Sequence, residues 1–171
     1  SARAYNVRLN MLCIVFRAFF DSENPFENNP KKQESSASKQ PFTMAQLAMI
    51  WQKLADDDYY MLHKVEMRDI YVLALHSGLR CSDCCLLLWE SVDLANQIIS
   101  LMPKKTRNSS RKAVTIPMTV PLYAMLQRRH ADRDDAYVFP KVAARYRSNP
   151  DGIYKDTQAL LAASGIQTQI A

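Results

Sequence analysis

Glycine is scarce in this sequence, at 3 of 171 residues, and its 8 prolines are scattered. Both facts exclude a collagen-like or low-complexity chain. No apolar run approaches the ~20 residues that a bilayer-spanning helix needs. No signal-peptide pattern opens the chain either, so no membrane association is expected. Of four cysteines, three crowd together as Cys81, Cys84 and Cys85. Such bunching excludes a framework of spaced disulfides and points to a reducing, cytoplasmic compartment. A zinc site also lacks ligands. Cys81-x-x-Cys84 spells half of one, but there is no second such pair, and His63, His76 and His130 stand alone. A thioredoxin-like redox motif would need a βαβ context that is missing. Neither a metal nor a small-molecule cofactor is expected. What is present is 48% hydrophobic and 23% charged, enough for one globular domain with part of another.

Acidic residues are thin in one region. Residues 101 to 147 hold 11 Lys or Arg against Asp132, Asp134 and Asp135, which gives +8 and leaves the rest of the chain at −3. This asymmetry fits either a solvated basic surface or a face that meets a polyanion, nucleic acid first among them.

Leu9, Leu12, Cys13, Phe16, Phe19 and Phe20 recur at helical spacing and predict an amphipathic helix over residues 5 to 20, stopped at Asn24-Pro25. Residues 28 to 41, "NNPKKQESSASKQP", show no periodicity and read as a linker. Thr43 and Gln46 then spell a capping box, with Phe42 and Leu47 at the staple positions. Leu47, Ile50, Trp51 and Leu54 mark the buried face of the helix that follows. A second helix is expected over 59 to 77 on Leu62, Val65, Ile70 and Leu73, closed by Gly78 in the left-handed region. A third runs from Arg80 to about Trp89. "NQIISLM" and "KAVTIPM" are β-branched strands flanking the basic loop "PKKTRNSSR", a hairpin with a long tip. Leu122, Met125 and Leu126 support another helix, "AYVFP" an extended piece, and residues 154 to 163 a last helix.

The stretch "LALHSGLRCSDCCLLLWESVDL" carries the strongest functional signal. Gly78 ends one helix and Arg80 opens the next, where unpaired N–H groups and a guanidinium fork could share a phosphate. Asp83, three residues on, lies on the same helical face as Arg80. From the residues alone, a plain surface salt bridge at a helix start is the competing reading. Cys81, Cys84, Cys85 and Leu88 fall at i, i+3, i+4 and i+7, which makes the cysteines core filler.

Taken in order, "HSGLRCSDCCLLLWESVDL", "IISLMPKKT" and "KAVTIPM" resemble the catalytic domain of the tyrosine recombinases, the phage-integrase family. Upstream, a helix, "ENPF", a linker and "PFT" resemble the end of that family's core-binding domain and the start of its catalytic one. The resemblance implies an α+β fold, mainly α-helical with a small antiparallel sheet and with its C-terminal part missing. Residues 1 to 27 would be the last helix of the core-binding domain, 28 to 41 the interdomain linker, and 42 to 171 the first portion of the catalytic domain. Arg80 resembles the first catalytic arginine and Asp83 its supporting acid. Lys105 resembles the catalytic lysine, with Lys104 the alternative one register away. Lys104, Arg107, Arg111 and Lys112 would grip DNA, and the two lysines could do so without chemistry. The family implies a site-specific recombinase that cuts double-stranded DNA through a 3′-phosphotyrosyl link, works as a homotetramer on DNA and needs no metal.

Three family elements are missing: a His-x-x-Arg box, a later His or Trp, and the tyrosine nucleophile. "HADR", residues 130 to 133, spells the box but precedes "AYVFP" and lies in an acidic run, so it reads as coincidence. Tyr146 and Tyr154 come too early for the nucleophile, and Tyr59, Tyr60 and Tyr71 are assigned to core helices. The expectation is that the missing boxes follow Ala171 and that these residues alone are inactive. A non-catalytic DNA-binding module on the same scaffold is the alternative, and a metal or redox domain on Cys81 and Cys84 a third reading.

Overall fold

A stretch free of Gly and Pro after Ser1 makes α1, Ala2–Phe19, with the Ser1 hydroxyl accepting from Ala4 N at 3.3 Å. The computed structural model describes residues 1–33, 40–102 and 113–166. It divides into two units, one of residues 1–41 and one beginning at Phe42. In the first unit the helix ends at Phe19, within a residue of the expected end, and the following segment doubles back along it. The buried Asn24 amide donates to Cys13 O at 3.2 Å, and its Oδ1 accepts from Phe26 N at 3.0 Å. Asn6 pairs with both backbone groups of Lys32 at 2.8 Å, as a strand neighbour would. Phe16 stacks on Phe20 at 4.7 Å and meets Phe26 edge-on. Of the expected apolar face Leu9 is buried, whereas Leu12, Phe19 and Phe20 are exposed.

The second unit opens as its sequence dictates. Thr43 Oγ1 accepts from Gln46 N at 3.2 Å while Gln46 Oε1 accepts from Thr43 N at 2.9 Å, a complete capping box that starts α2, Met44–Ala55. Ile50 and Leu54 face inward. The next helix is shorter than the spacing predicts. α3 spans Lys64–Ser77, after a left-handed His63 at φ 56°. Leu62 and Val65 are 41% and 72% exposed, and the face toward the core is Glu66, Met67, Asp69, Ile70 and Leu73. Two carboxylates inside that face hid it from a reading based on apolar period. α4 is Cys81–Cys85 only, followed by a 3-10 turn at Trp89–Ser91. It ends early because its continuation is claimed by a distant extended segment, bridged at Leu88 and Tyr137. Val138 N donates to Leu87 O at 2.9 Å, and Trp89 N donates to Ala136 O at 3.0 Å.

Three antiparallel strands follow in the order β1, β2, β3: Val92–Asp93, Ile98–Leu101 and Val114–Pro117. Ile99 sits opposite Val92 on one side and Ile116 on the other. The hairpin expected from sequence is present, and β1 adds a strand too short for alternation to reveal. The tight turn is closed by Asp93, which accepts from Asn96 N and Nδ2 at 2.9 and 2.7 Å, and by a left-handed Gln97. α5, Val120–Ala131, α6, Pro140–Ser148, and α7, Pro150–Ala163, complete the unit. The last helix begins earlier than expected. α6 was not expected at all. The result is a mainly helical α+β fold with a small antiparallel sheet, as the sequence implies. Among the described residues no helix is long and apolar enough to cross a membrane.

The core gathers Met67, Leu73, Cys84, Ile99, Leu122, Phe139, Val142 and Leu160. The two acids of α3 tie its walls together. Glu66 accepts from Val142 N at 2.8 Å and Lys141 N at 3.4 Å, capping α6 from a helix 76 residues away in sequence. Asp69 accepts from Arg128 Nη2 at 2.6 Å and Arg129 Nε at 2.7 Å, locking α3 to α5. Arg145 pairs with Asp156 to join α6 to α7. Glu66→Ala strands a buried N–H, so it is expected to lower unfolding free energy by about 1–3 kcal/mol. The exposed Glu90→Ala should stay within about 0.5 kcal/mol. Urea midpoints on the two variants check this, and equal midpoints would refute the capping role.

Candidate functional site

Gly78 adopts φ 65° and ψ 14° at the end of α3, with its N–H bonded to Ala74 O at 3.0 Å. A Cβ there would meet nothing within 4 Å, so the position demands conformation and not space. Ser77 Oγ donates to Leu73 O at 2.6 Å and accepts from Leu79 N at 3.2 Å. Leu79 packs on the core, and its carbonyl accepts from Cys84 Sγ at 3.7 Å. The link between α3 and α4 is thus pinned at every residue. Arg80 stands at its end, extended at φ −68° and ψ 154°, its carbonyl accepting from Asp83 N and Cys84 N at 2.9 Å.

The Arg80 side chain is exposed, and no ion pair between described residues involves it. Its charge meets no acid among the described residues, and its backbone is held by the hydrogen bonds of the α4 N-terminus. Asp83 lies in the first turn of α4 and is buried. Arg80 and Asp83 are thus brought to one helical turn, one facing water and the other the core. Lys104, Lys105, Arg107, Arg111 and Lys112 lie outside the described residues. The last described pair of the hairpin that leads to them is Leu101 opposite Val114.

The cysteine face is split. Cys84 and Cys85 are buried and Leu88 half-buried, but Cys81 is exposed, so only part of the expected core face reaches the core. Cys81 Sγ is 3.8 Å from Cys85 Sγ. A hydrogen bond from Cys85 lowers the Cys81 thiol to about 7 against the effect of burial. Burial, then the charges of Cys81 and Asp83, push Cys84 up to about 12, and the bond to Cys81 together with burial raises Cys85. Among the described residues no group of three or more His, Cys, Asp or Glu converges as metal ligands would.

The tyrosines divide as well. Tyr71, in α3, is pushed up to about 12 by burial although its hydroxyl bonds Thr157 Oγ1 at 3.0 Å. Tyr146, in α6, is raised by burial and by the thiols of Cys81 and Cys85. Tyr60 is 82% exposed and lies before α3, not in a core helix. His130 meets Trp89 edge-on at 5.2 Å, with Arg133 Nη1 3.2 Å from its Nε2. Arg133, but not Arg80, borders the shallow hollow of about 540 Å³ beside Trp89. The residues that sequence reasoning missed are the supports: Glu66, Asp69 and Ser77. Their partners are distant or backbone groups, so no local motif marks them.

A mainly helical unit with a small three-stranded antiparallel sheet is the architecture of tyrosine recombinase catalytic domains. The Tn1549 transposon integrase bound to circular-intermediate DNA superposes with a TM-score of 0.61 at 20% identity, over 98% of this chain and 69% of that one. The same integrase with transposon right-end DNA gives 0.61 at 18% identity. XerA recombinase gives 0.55 at 19% identity, over 100% of this chain and 57% of that one. In the comparison with curated proteins, no sequence matches. The phage integrase family model matches residues 43–171. The chain belongs to the phage integrase family.

Alkylation of native Cys81 by iodoacetamide is expected to rise as pH passes about 7, because the thiolate is the reacting form. Cys84 should stay unreactive until about pH 12. Peptide mapping of the labelled protein reads both, and a Cys81 profile centred near 9.0 would contradict the thiol pairing.

Proposed function

We propose that this chain is part of a site-specific DNA recombinase that cuts and rejoins double-stranded DNA through a 3′-phosphotyrosyl intermediate. The observation that carries the reading is Arg80. Its guanidinium is exposed, unpaired among the described residues and fixed at the α3–α4 junction, in a chain of the phage integrase family. The DNA bound in the Tn1549 integrase structures supports the choice of partner. A homotetramer on DNA is the assembly proposed.

In this mechanism a tyrosine Oη attacks the scissile phosphorus. A P–O bond to the tyrosine forms, and the bond to the 5′ oxygen breaks. Extra negative charge develops on the non-bridging oxygens as phosphorus becomes five-coordinate. Arg80 binds that charge more strongly than the charge of the ground state, and so lowers the barrier. Asp83 helps to hold the turn that presents it. Lys105, or Lys104 in the neighbouring register, donates a proton to the departing 5′ oxygen. The covalent link keeps the phosphodiester energy, so rejoining needs no ATP. Lys104, Arg107, Arg111 and Lys112 contact the DNA backbone, which makes binding steeply salt-dependent at roughly 0.9 in log–log slope per phosphate neutralised. The His-x-x-Arg box and the nucleophile are supplied from outside residues 1 to 171, which are inactive by themselves.

A nicked suicide substrate tests this in the complete recombinase. Arg80→Ala should slow covalent adduct formation by about 10²–10³ while the unfolding midpoint holds. Lys105→Ala should slow it too, and a 5′-thiolate leaving group, which needs no proton, should restore the rate. Residues 1 to 171 alone should give no adduct. DNA binding with an adduct yield indifferent to Arg80→Ala would leave only the non-catalytic module.

A further inference from the structure

We propose that Cys81 and Cys85 form a peroxide-responsive dithiol, in which Cys81 is oxidised first and Cys85 closes a disulfide onto it. The two sulfurs are 3.8 Å apart on one face of α4. They differ in access: Cys81 is exposed to a small oxidant, and Cys85 is buried beneath it. The third thiol of the group is committed elsewhere, since Cys84 Sγ donates to Leu79 O. The raised acidity of Cys81 supplies thiolate at neutral pH, which is the form a hydroperoxide meets.

The chemistry balances with an alkyl or hydrogen peroxide as oxidant. The Cys81 thiolate attacks one peroxide oxygen, an S–O bond forms, the O–O bond breaks, and an alkoxide or hydroxide leaves and takes up a proton. Cys85 sulfur then attacks the sulfenic sulfur. The S–S bond forms, the S–O bond breaks, and the departing hydroxide leaves as water with the Cys85 proton. Two thiols and one hydroperoxide become one disulfide, one alcohol or water, and one further water.

The pair also has a mechanical consequence. A disulfide needs the sulfurs at about 2.05 Å, and Cys85 is held in the packed core. The movement therefore falls on Cys81, the residue bonded directly to Arg80. Oxidation draws the start of α4 inward and takes Arg80 off its fixed stem. This consequence rests on the proposed role of Arg80, whereas the disulfide does not.

Two readouts on the complete, reduced protein separate them. After brief hydrogen peroxide treatment of the native protein, then denaturation and alkylation, the tryptic peptide of residues 81 to 104 should lose two of its three alkylatable thiols, Cys84 alone remaining. Dithiothreitol should restore them. In Cys85→Ser, Cys81 should instead be trapped as a dimedone-reactive sulfenic acid. Full alkylation of all three thiols after peroxide, or dimedone labelling equal in parent and variant, would overturn the dithiol. Covalent adduct on the suicide substrate should fall on oxidation and return with dithiothreitol, and should be peroxide-insensitive in Cys81→Ser. A mapped disulfide with unchanged adduct would overturn the link to Arg80 and leave the dithiol standing.

Discussion

Two carboxylates on the core-facing side of α3 organise the second unit. Glu66 and Asp69 are three residues apart, so they emerge from one face of the helix. A buried acid without partners is costly, and each has partners on a different element. Glu66 replaces the missing side-chain cap of α6, whose own N-cap, Phe139, has nothing to offer an N–H. Asp69 gathers Arg128 and Arg129 from α5. With both walls tied to it, α3 is the fixed axis, and the α3–α4 link is the continuation of that axis. A side chain whose position must hold to a fraction of an ångström is best carried on such a stem.

The same fixity divides the arginines into two populations. Arg128, Arg129 and Arg145 pair with Asp69 or Asp156, and Arg129 also lies over the Phe139 ring at 4.8 Å. Their charge is spent inside the fold. The basic excess of residues 101 to 147 is therefore smaller in space than in sequence, because Asp69 and Asp156 lie outside that window and neutralise part of it. Among the described residues of the second unit, Arg80 shares its exposure and its lack of an ion pair with Arg68, Arg133, Lys141, Arg147 and Lys155.

Much of this was legible in the sequence, and the rest was not for identifiable reasons. The capping box at Thr43, the left-handed Gly78 and the β2–β3 hairpin are local devices, so the residues that form them stand next to one another. Of the expected α3 face Ile70 and Leu73 are buried, but Leu62 and Val65 are not, because Glu66 and Asp69 interrupt the apolar period of the true face. α4 was read as too long because its competitor for backbone hydrogen bonds, residues 136–138, lies about fifty residues on. α6 escaped notice because its cap comes from α3, and β1 because two residues show no alternation. For the candidate site, Arg80 and its glycine could be read directly. The support beneath them could not, since it consists of contacts made only after folding.

Arg80 is assigned to the charge of one phosphate, and that charge can be removed from the other side. Single-turnover cleavage by the complete recombinase should be compared on a scissile phosphodiester and on a neutral methylphosphonate at the same position. If Arg80 acts by neutralising that group, Arg80→Ala should cost about 10²–10³ on the phosphodiester and little on the methylphosphonate. An equal loss on both substrates would show that Arg80 serves the fold or DNA binding at a distance, and the assignment of Arg80 would fail.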